Sequence, residues 1–306
     1  MHGHIVILVL VLGISLPGVS ATTSNFTKWV LLKTGQEMLL DEELWMPSKM
    51  IPLPDKNFYG FCALKVDRTI YYIGGVYDRL ESPVYFLRPG AQSWSRGPSL
   101  KQYRLYFSAV SVGTRIYVFG GANLATPNAF KDVDSCEYLE TNDYGASWQS
   151  CAAMSERKSE TTSVVYDGKV YVFGGQTNQV ERYDPATNTW RRLASMPEDR
   201  FSFVVAVLDN LIYVAGGTDK NHRYSQSINV FDPSTEQWRN DLNVAPTIFQ
   251  HFWAPMIAFN GSLYIAGHIG QHGGYVEKYD PTKNSWQLLP HKMIRHSSHR
   301  NAHVLL

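Results

Sequence analysis

The chain has 306 residues, a formal net charge of +1 and 44% hydrophobic residues. This length suits two average domains or one large all-β domain, and the composition is that of a globular protein with a sizeable core. The small net charge, without a long block of like charges, argues against a nucleic-acid-binding surface or a strongly basic membrane patch.

The N-terminus has a pattern of its own. An apolar run, Ile5–Leu12, is followed by turn residues and by small side chains up to Ala21. Such a run before small residues is typical of a secretory signal peptide, and it is too short to span a bilayer comfortably. We therefore predict a signal peptide over residues 1–21, a mature domain over 22–306 and a secreted, extracellular protein without a membrane span after cleavage. An uncleaved anchor or a misassigned start is the alternative.

Two N-glycosylation sequons fit secretion, although a single sequon also arises by chance. Asn25 opens the first, just after the predicted cleavage site, and Asn260 opens the second. The dipeptide Asn260-Gly261 separates two apolar runs and favours a type I′ hairpin turn, which would expose the asparagine. We predict both asparagines as glycosylation sites.

Further along the chain, five apolar strands each end in a glycine pair or its near relative, and each is followed by a lone tryptophan. The strands end at Gly75, Gly121, Gly175, Gly217 and His268, and the tryptophans are Trp94, Trp148, Trp190, Trp238 and Trp286. A repeat of this length with strand-sized apolar runs predicts small antiparallel sheets packed side by side. The glycines allow close approach of backbones, and the tryptophans predict packing between sheets rather than a ligand site.

The third repeat shows the unit most clearly. It predicts four strands joined by short turns, at residues 163–166, 169–173, 180–183 and 189–193. Its strings DGKVYVFGG (167–175), YDPATNTW (183–190) and MPEDR (196–200) resemble kelch repeats. The resemblance extends from about residue 45 to the C-terminus and implies a β-propeller, in which the sheets are blades around an axis.

The two ends of the chain predict a sixth blade. Trp45 and the segment 51–56 align with the run from Trp190 to Arg200, so the N-terminal segment predicts outer strands. Residues 302–306 predict the innermost strand, which would close the ring by joining the chain ends. The strand expected to carry a sixth glycine pair is absent. The prediction is an all-β, six-bladed kelch β-propeller in which either the sixth blade has three strands or the chain is shortened.

The chain has three cysteines. Cys136 and Cys151 are equidistant from a predicted hairpin turn, and directly opposed Cβ atoms lie roughly 4.5–5.5 Å apart, within or just beyond disulfide reach. We predict a disulfide in an oxidising compartment. The alternative is a buried apolar pair, since the third repeat has Val180 and Leu193 at the equivalent places. Cys62 lies in an apolar strand and predicts a buried thiol.

The topology predicts one loop-rich face. The loops after the second strands and the segments before the innermost strands emerge on the same side, and the long ones are 76–83, 122–132, 218–227 and 268–274. Four arginines precede innermost strands there: Arg104, Arg157, Arg200 and Arg300. Such a ring suits an acidic peptide or a carboxylate-bearing ligand, and the resemblance implies that kelch-like adaptors hold partner peptides on this face. The alternative is that the arginines bridge neighbouring blades.

Histidines also gather on the loop-rich face. His251, His268 and His272 come from one repeat and are the candidates for a metal site or a pH-sensitive patch. Scattered surface histidines usually bind nothing, and no cysteine spacing typical of zinc is present. We therefore predict no metal and no cofactor.

The predicted function is binding of a protein or an anionic ligand through the loop-rich face. No HExxH, P-loop or nucleophile-elbow motif occurs, so we predict no enzymatic activity. No BTB-like or F-box-like segment is recognisable either, so a ubiquitin-ligase adaptor role is not predicted. The resemblance also implies an alternative, a secreted propeller enzyme similar to a sugar epimerase or to a copper-radical oxidase. The oxidase would need a Tyr–Cys crosslink, for which Cys62 lies in a suitable strand.

Overall fold

The protein is described here by a computed structural model. It describes residues 60–75, 81–126, 129–143, 145–175, 177–252, 254–266 and 275–289, and the backbone of four short strands before them. Every regular element in these parts is a β-strand, which confirms the predicted all-β class. Within the same ranges, no helix has the length and hydropathy needed to cross a bilayer.

The four N-terminal strands form one antiparallel sheet. They pair in chain order: β1 (Val11–Gly13), β2 (Thr27–Leu31), β3 (Gln36–Leu39) and β4 (Leu44–Pro47). β2 lies between β1 and β3 and ends without a glycine pair. β1 lies inside the predicted signal peptide. The predicted closing strand, 302–306, lies outside the described residues.

Blade I begins the series of sheets whose side chains are described. Its strands are β5 (Cys62–Val66), β6 (Thr69–Ile73), β7 (Val84–Leu87) and β8 (Ser95–Gly97). They pair antiparallel in chain order. The two-residue turn Asp67-Arg68 joins the first two strands of this blade, and Asp67 has a positive φ of 51° there.

Blade II differs from the others by a hairpin inserted after its second strand. Its elements are β9 (Ser108–Val112), β10 (Arg115–Phe119), the hairpin strands β11 (Ala122–Thr126) and β12 (Ala129–Asp132), β13 (Cys136–Glu140) and β14 (Gln149–Cys151). The hairpin forms a separate two-stranded sheet, and the other four strands form the blade.

Blades III, IV and V repeat the four-stranded unit without such an insertion. Their strands are β15 (Thr161–Tyr166), β16 (Lys169–Gly174), β17 (Val180–Asp184), β18 (Thr189–Arg192), β19 (Val204–Leu208), β20 (Leu211–Ala215), β21 (Ile228–Asp232), β22 (Gln237–Trp238), β23 (Met256–Phe259), β24 (Ser262–Ala266), β25 (Val276–Asp280) and β26 (Ser285–Leu288). The inner strands of successive blades, from β5 to β23, pack side by side in chain order, which is the arrangement of a β-propeller.

The hydrophobic core lies between the blades. One buried cluster joins Tyr171 and Phe173 of blade III to Ile212, Val214 and Phe231 of blade IV, and similar clusters join the other neighbours. Burying each such side chain contributes about 1.5–3 kcal/mol. A single blade would leave one face of these clusters in water, so the blades stabilise one another.

The glycine pairs and the tryptophans hold the blade boundaries, as the repeat predicted. A Cβ on Gly216, which has a φ of +67°, would lie 2.6 Å from the carbonyl oxygen of His251 in the next blade. Indole Nε1 groups donate across each boundary: Trp148 to Pro98 O (2.8 Å), Trp190 to Ala152 O (2.7 Å), Trp238 to Ala194 O (3.0 Å) and Trp286 to Ala245 O (2.9 Å). Each acceptor lies in the segment that leaves the preceding blade.

Candidate partner-binding face

The loop-rich face is formed where second strands end and the next inner strands begin. The N–H of Gly121 donates to Lys158 O (2.9 Å), and the N–H of Gly217 donates to His251 O (2.8 Å). Each bond joins a glycine pair to the segment that precedes the next inner strand. These loops therefore meet at one end of the propeller, as the topology predicted.

A buried basic side chain occupies the equivalent position in four blades of the described chain. The residues and their relative exposures are Arg104 (0%), Lys158 (1%), Arg200 (1%) and His251 (2%). Each faces the second residue of the third strand of its own blade: Glu137, Glu181, Asn229 and Glu277, respectively. We call these four contacts the buried pairs.

Arg104 shows how a buried pair is satisfied. Its Nη1 donates to Gly120 O (2.8 Å) and Ser135 O (3.0 Å), and its Nη2 donates to Glu137 Oε1 (2.6 Å). The carboxylate also accepts the N–H of Lys101 (2.8 Å). Burial lowers the pKa of Arg104, and the charge of Glu137 opposes that shift. The guanidinium thus ties three segments of the face together.

Blade IV keeps the same arrangement with different chemistry. The third strand offers the neutral Asn229, whose Oδ1 accepts from Arg200 Nη2 (2.7 Å). Glu198, two residues before the arginine, supplies the negative charge at 2.9 Å. Backbone oxygens of Gly216 (3.1 Å) and Ser227 (3.0 Å) complete the set around the guanidinium.

These contacts correct the predicted arginine ring. Arg104 and Arg200 are buried and donate to groups within their own blades. Their guanidinium groups are therefore neither presented to a ligand nor used to bridge neighbouring blades. Arg157 lies one residue before the equivalent position; its side chain is 57% exposed, and its Nε lies 3.8 Å from Asp134 Oδ2. Arg300 lies outside the described residues. The described chain therefore does not assemble a ring of arginines.

Lys158 is a structural residue that the sequence analysis missed. Its Nζ lies 2.5 Å from Glu181 Oε2, and both side chains are 1% exposed. The signal was present in the third strands, where Glu137, Glu181 and Glu277 occupy the same register position. A buried acid at a repeated strand position requires a base, and that requirement selects Lys158 over its neighbour Arg157.

At the mouth of the central axis, Tyr106, Glu160 and Ser202 lie two positions after the buried bases of blades II, III and IV. Gly60, Tyr106, Glu160 and Ser202 have φ values of 53°, 55°, 56° and 58°, in the left-handed region. The N–H of Tyr106 donates to Gly60 O (3.1 Å), and the N–H of Glu160 donates to Tyr106 O (2.8 Å). These bonds run from blade to blade and hold non-glycine residues in a strained conformation.

A cavity of about 110 Å³ opens behind these residues. Its lining includes Tyr106, Phe107, Glu160, Ser202 and Phe203 from the segments that enter the inner strands. Ser202 Oγ donates to Glu160 Oε2 (3.0 Å). Burial raises the pKa of Glu160, the Ser202 hydroxyl opposes the shift, and the charge of Asp132 adds to it.

Large apolar side chains are exposed on the loop-rich face. Phe130, on the inserted hairpin, is 47% exposed, and its ring lies 6.4 Å from that of Tyr106. Tyr224 is 41% exposed and contacts Phe252 edge to face at 5.7 Å. Ile248 is 40% exposed on the loop that precedes blade V. The face therefore offers apolar and aromatic surface from three blades.

Of the three histidine candidates for a metal site, the structure describes His251. His251 is committed to Glu277, with 2.9 Å between Nε2 and Oε1. His268 and His272 lie outside the described residues. No group of three or more metal-ligating side chains occurs where the structure is described.

The two cysteines of the predicted disulfide lie together. Cys136 and Cys151 lie opposite one another in the β13–β14 register, their Cα atoms are 5.0 Å apart, and their sulfur atoms are bonded. Cys62 is a buried thiol, as predicted; its Sγ donates to Phe107 O (3.1 Å). Burial raises the pKa of Cys62 to about 12, so the reactive thiolate is strongly disfavoured.

Asn260 lies at the opposite end of the propeller from the loop-rich face. It is exposed in the turn between β23 and β24, where Asn260 and Gly261 have φ values of 45° and 69°. The predicted type I′ turn is thus confirmed. The other sequon, at Asn25, lies outside the described residues, and glycosylation at both stays a prediction.

Comparison with known proteins agrees with this architecture. The KLHDC2/KLHL20/DRC7 Kelch-repeats domain matches residues 106–306. Kelch-like protein 23 of Homo sapiens is 24% identical over 271 residues, which are 83% of this chain and 45% of that protein. Kelch-like protein 30 of Homo sapiens is 34% identical over 71% of this chain and 36% of that protein. The Kelch repeat protein M-T8 of Myxoma virus (strain Lausanne) is 33% identical over 51% of this chain and 31% of that protein.

The chain spans less than half the length of these relatives. Their names describe kelch-repeat proteins, and no enzyme family is indicated. The comparisons thus agree with the predicted kelch β-propeller.

Proposed function

Because the chain belongs to the kelch-repeat family, we propose that it is a secreted binding module that holds a partner protein on its loop-rich face. Kelch propellers bind proteins. The distribution of exposed apolar surface is the observation that supports binding on this face. Of the four large exposed hydrophobic side chains in the described chain, Phe130, Tyr224 and Ile248 lie on this face. Aromatic anchors of this kind dominate the energy of protein interfaces.

The opposite end of the propeller looks different. The turns that join the first and second strands there consist of charged or polar residues and glycine, such as Asp167-Gly168, Asp209-Asn210 and Asn260-Gly261. A glycan on Asn260 would therefore leave the loop-rich face open. This asymmetry favours the loop-rich face as the binding surface.

Secretion is part of the proposal and is supported by three features. The apolar N-terminal run has the pattern of a leader, Cys136 and Cys151 are bonded, and Asn260 is an exposed sequon. Disulfides persist mainly in oxidising compartments. We do not extend the proposal to an anionic ligand, because the guanidinium groups of Arg104 and Arg200 are used within the blades.

The test compares partner capture by matched surface variants. The full chain and the double variant Phe130→Ala/Tyr224→Ala are immobilised and exposed to extracellular fluid, and captured proteins are quantified by mass spectrometry. Leu288→Ala is the control, because Leu288 is 39% exposed but lies on the outer strand of blade V. A hot-spot aromatic contributes roughly 2 kcal/mol or more, so we expect the double variant to bind the partner at least about thirtyfold more weakly. Equal capture by all three proteins would contradict the proposal.

A further inference from the structure

We propose that the cavity at the loop-rich end of the axis binds an ammonium group presented by a peptide, with Glu160 as its counter-ion. The ammonium group belongs to a lysine side chain or to a free amino terminus. This inference rests on the proposed function, since the peptide would be part of the partner held on that face. The inference specifies a chemical group that the cavity would recognise, whereas the exposed apolar side chains of the face do not specify one.

The cavity has the size for such a group. The cavity volume is about 110 Å³, whereas a single water needs roughly 10–15 Å³ on the same scale. A polar head group and part of an alkyl stem therefore fit. Its walls are the first residues of the inner strands of neighbouring blades. Tyr106, Phe107 and Phe203 supply aromatic surface for the stem, and aromatic faces attract cations.

The charge of Glu160 is not balanced within the described chain. The acids of the buried pairs each face a basic group, whereas the described contact of the Glu160 carboxylate is the neutral hydroxyl of Ser202. Burial and the neighbouring Asp132 raise the pKa of Glu160, which shows that its negative form is disfavoured without a counter-ion. A bound cation would relieve both effects.

The polar groups around Glu160 suit an ammonium ion better than a metal or a guanidinium. A divalent metal of the calcium type takes six to eight oxygen ligands, and no cluster of three ligating acidic, histidine or cysteine side chains is present in the described ranges. A guanidinium prefers a carboxylate with both oxygens free, and one Glu160 oxygen already accepts from Ser202. An ammonium carries three donors, and the cavity lining adds the buried hydroxyl of Ser163, which has no hydrogen-bond partner among the described residues.

The experiment measures binding of small amines directly. N-acetyl-lysine N-methylamide probes the side-chain source, and alanyl-alanine amide, which has a free amino terminus but no lysine, probes the other source. Nε-acetylated N-acetyl-lysine N-methylamide is the uncharged control. Chemical-shift titration of the full chain at low salt should show saturable binding of at least one amine and none of the control.

Glu160→Gln keeps the shape of the side chain and removes its charge, and we expect it to weaken amine binding at least tenfold. Asp199→Asn is the matched control, since Asp199 is exposed on the same face but is not among the cavity-lining residues; it should leave binding unchanged. Ser202→Ala is a second variant, expected to weaken binding several-fold. Melting curves establish that each variant is folded.

The outcomes separate the two proposals. If neither amine binds, or if Glu160→Gln binds as well as the unmodified chain, the ammonium site is wrong, even when the partner is still captured through Phe130 and Tyr224. If the amines bind in a Glu160-dependent manner while the double aromatic variant captures the partner normally, the site stands and the proposed binding surface is wrong.

Discussion

At the scale of single residues, the buried pairs explain why charged side chains repeat beside the axis. A buried ion pair contributes little net stability compared with an apolar pair, but loss of one partner leaves an uncompensated charge in the interior. Arg104 and Glu137 are both essentially unexposed and hold three chain segments together. Their role is therefore to fix the loops of the face in one arrangement.

This role predicts a large difference between two acids of one strand. Glu137→Ala leaves the buried Arg104 charge without its counter-ion, so we expect the free energy of unfolding to fall by about 3–5 kcal/mol. Glu140→Ala removes the partner of Arg115, whose side chain is 43% exposed, and should cost no more than about 1 kcal/mol. Urea unfolding followed by tryptophan fluorescence measures both. Similar stabilities for the two variants would show that Arg104 is not a structural residue.

The same residues show what the sequence could not predict about this face, namely which basic side chains are buried. The topology placed Arg104 and Arg200 correctly before inner strands, but it could not tell a buried base from an exposed one. The adjacent pair Arg157 and Lys158 offered two bases, and loop lengths vary too much between repeats to fix the register there. The acid at the second position of the third strand decides the choice, because strand register is regular where loop length is not.

At the scale of elements, the turns between third and fourth strands share one device. An aspartate side chain accepts the N–H two residues further on: Asp184 from Ala186 (3.0 Å), Asp232 from Ser234 (2.9 Å) and Asp280 from Thr282 (3.0 Å). This is the Asx-turn geometry that makes Asp-Pro sequences effective at turns. It explains the Asp-Pro dipeptide that recurs in blades III, IV and V.

These turns predict a specific sensitivity to acid. Hydrogen bonds from Lys169, Ser234 and Lys283, respectively, are the leading causes that lower the pKa values of Asp184, Asp232 and Asp280 below the ordinary 3.8. A carboxyl with a lower pKa in the folded state stabilises the fold above its unfolded pKa, and the contribution is lost as the pH falls through the folded value.

We therefore expect the free energy of unfolding to decrease from pH 5 downward, and less steeply in the triple Asp→Asn variant at these turns. The amide keeps an acceptor oxygen for the turn but does not titrate in this range. Urea unfolding at several pH values between about 5 and 2 measures the slopes. Equal slopes for the variant and the unmodified chain would mean that the turn carboxylates do not contribute to the acid sensitivity.

At the scale of the whole molecule, the strand pattern and the glycine–tryptophan repeat predicted the packed sheets, and the resemblance to kelch repeats implied the propeller. They specify packing between blades, which is local and repeats at every boundary. The inserted hairpin of blade II and the cavity at the mouth were not predicted, because they depend on how loops of unequal length meet in space. The repeat pattern therefore predicts the blades but not the geometry of the candidate site.

The residues of β1 also belong to the predicted signal peptide. β1 lies within residues 1–21, where it pairs with β2, so removal of the leader would take β1 out of the N-terminal sheet. The apolar segment 302–306, predicted from the sequence as the innermost strand of that blade, would then be available to pair with β2.

The secretion proposal accordingly predicts that the protein recovered from the medium of expressing cells begins at Thr22, as read by intact mass after deglycosylation. It also predicts that the mature form truncated after Asn301 unfolds at a lower urea concentration than the form ending at Leu306, because β2 would lose its pairing partner. Recovery of the full chain from inside the cell, with its N-terminal methionine and no loss of stability on truncation, would instead favour β1 as the permanent inner strand and an uncleaved N-terminus.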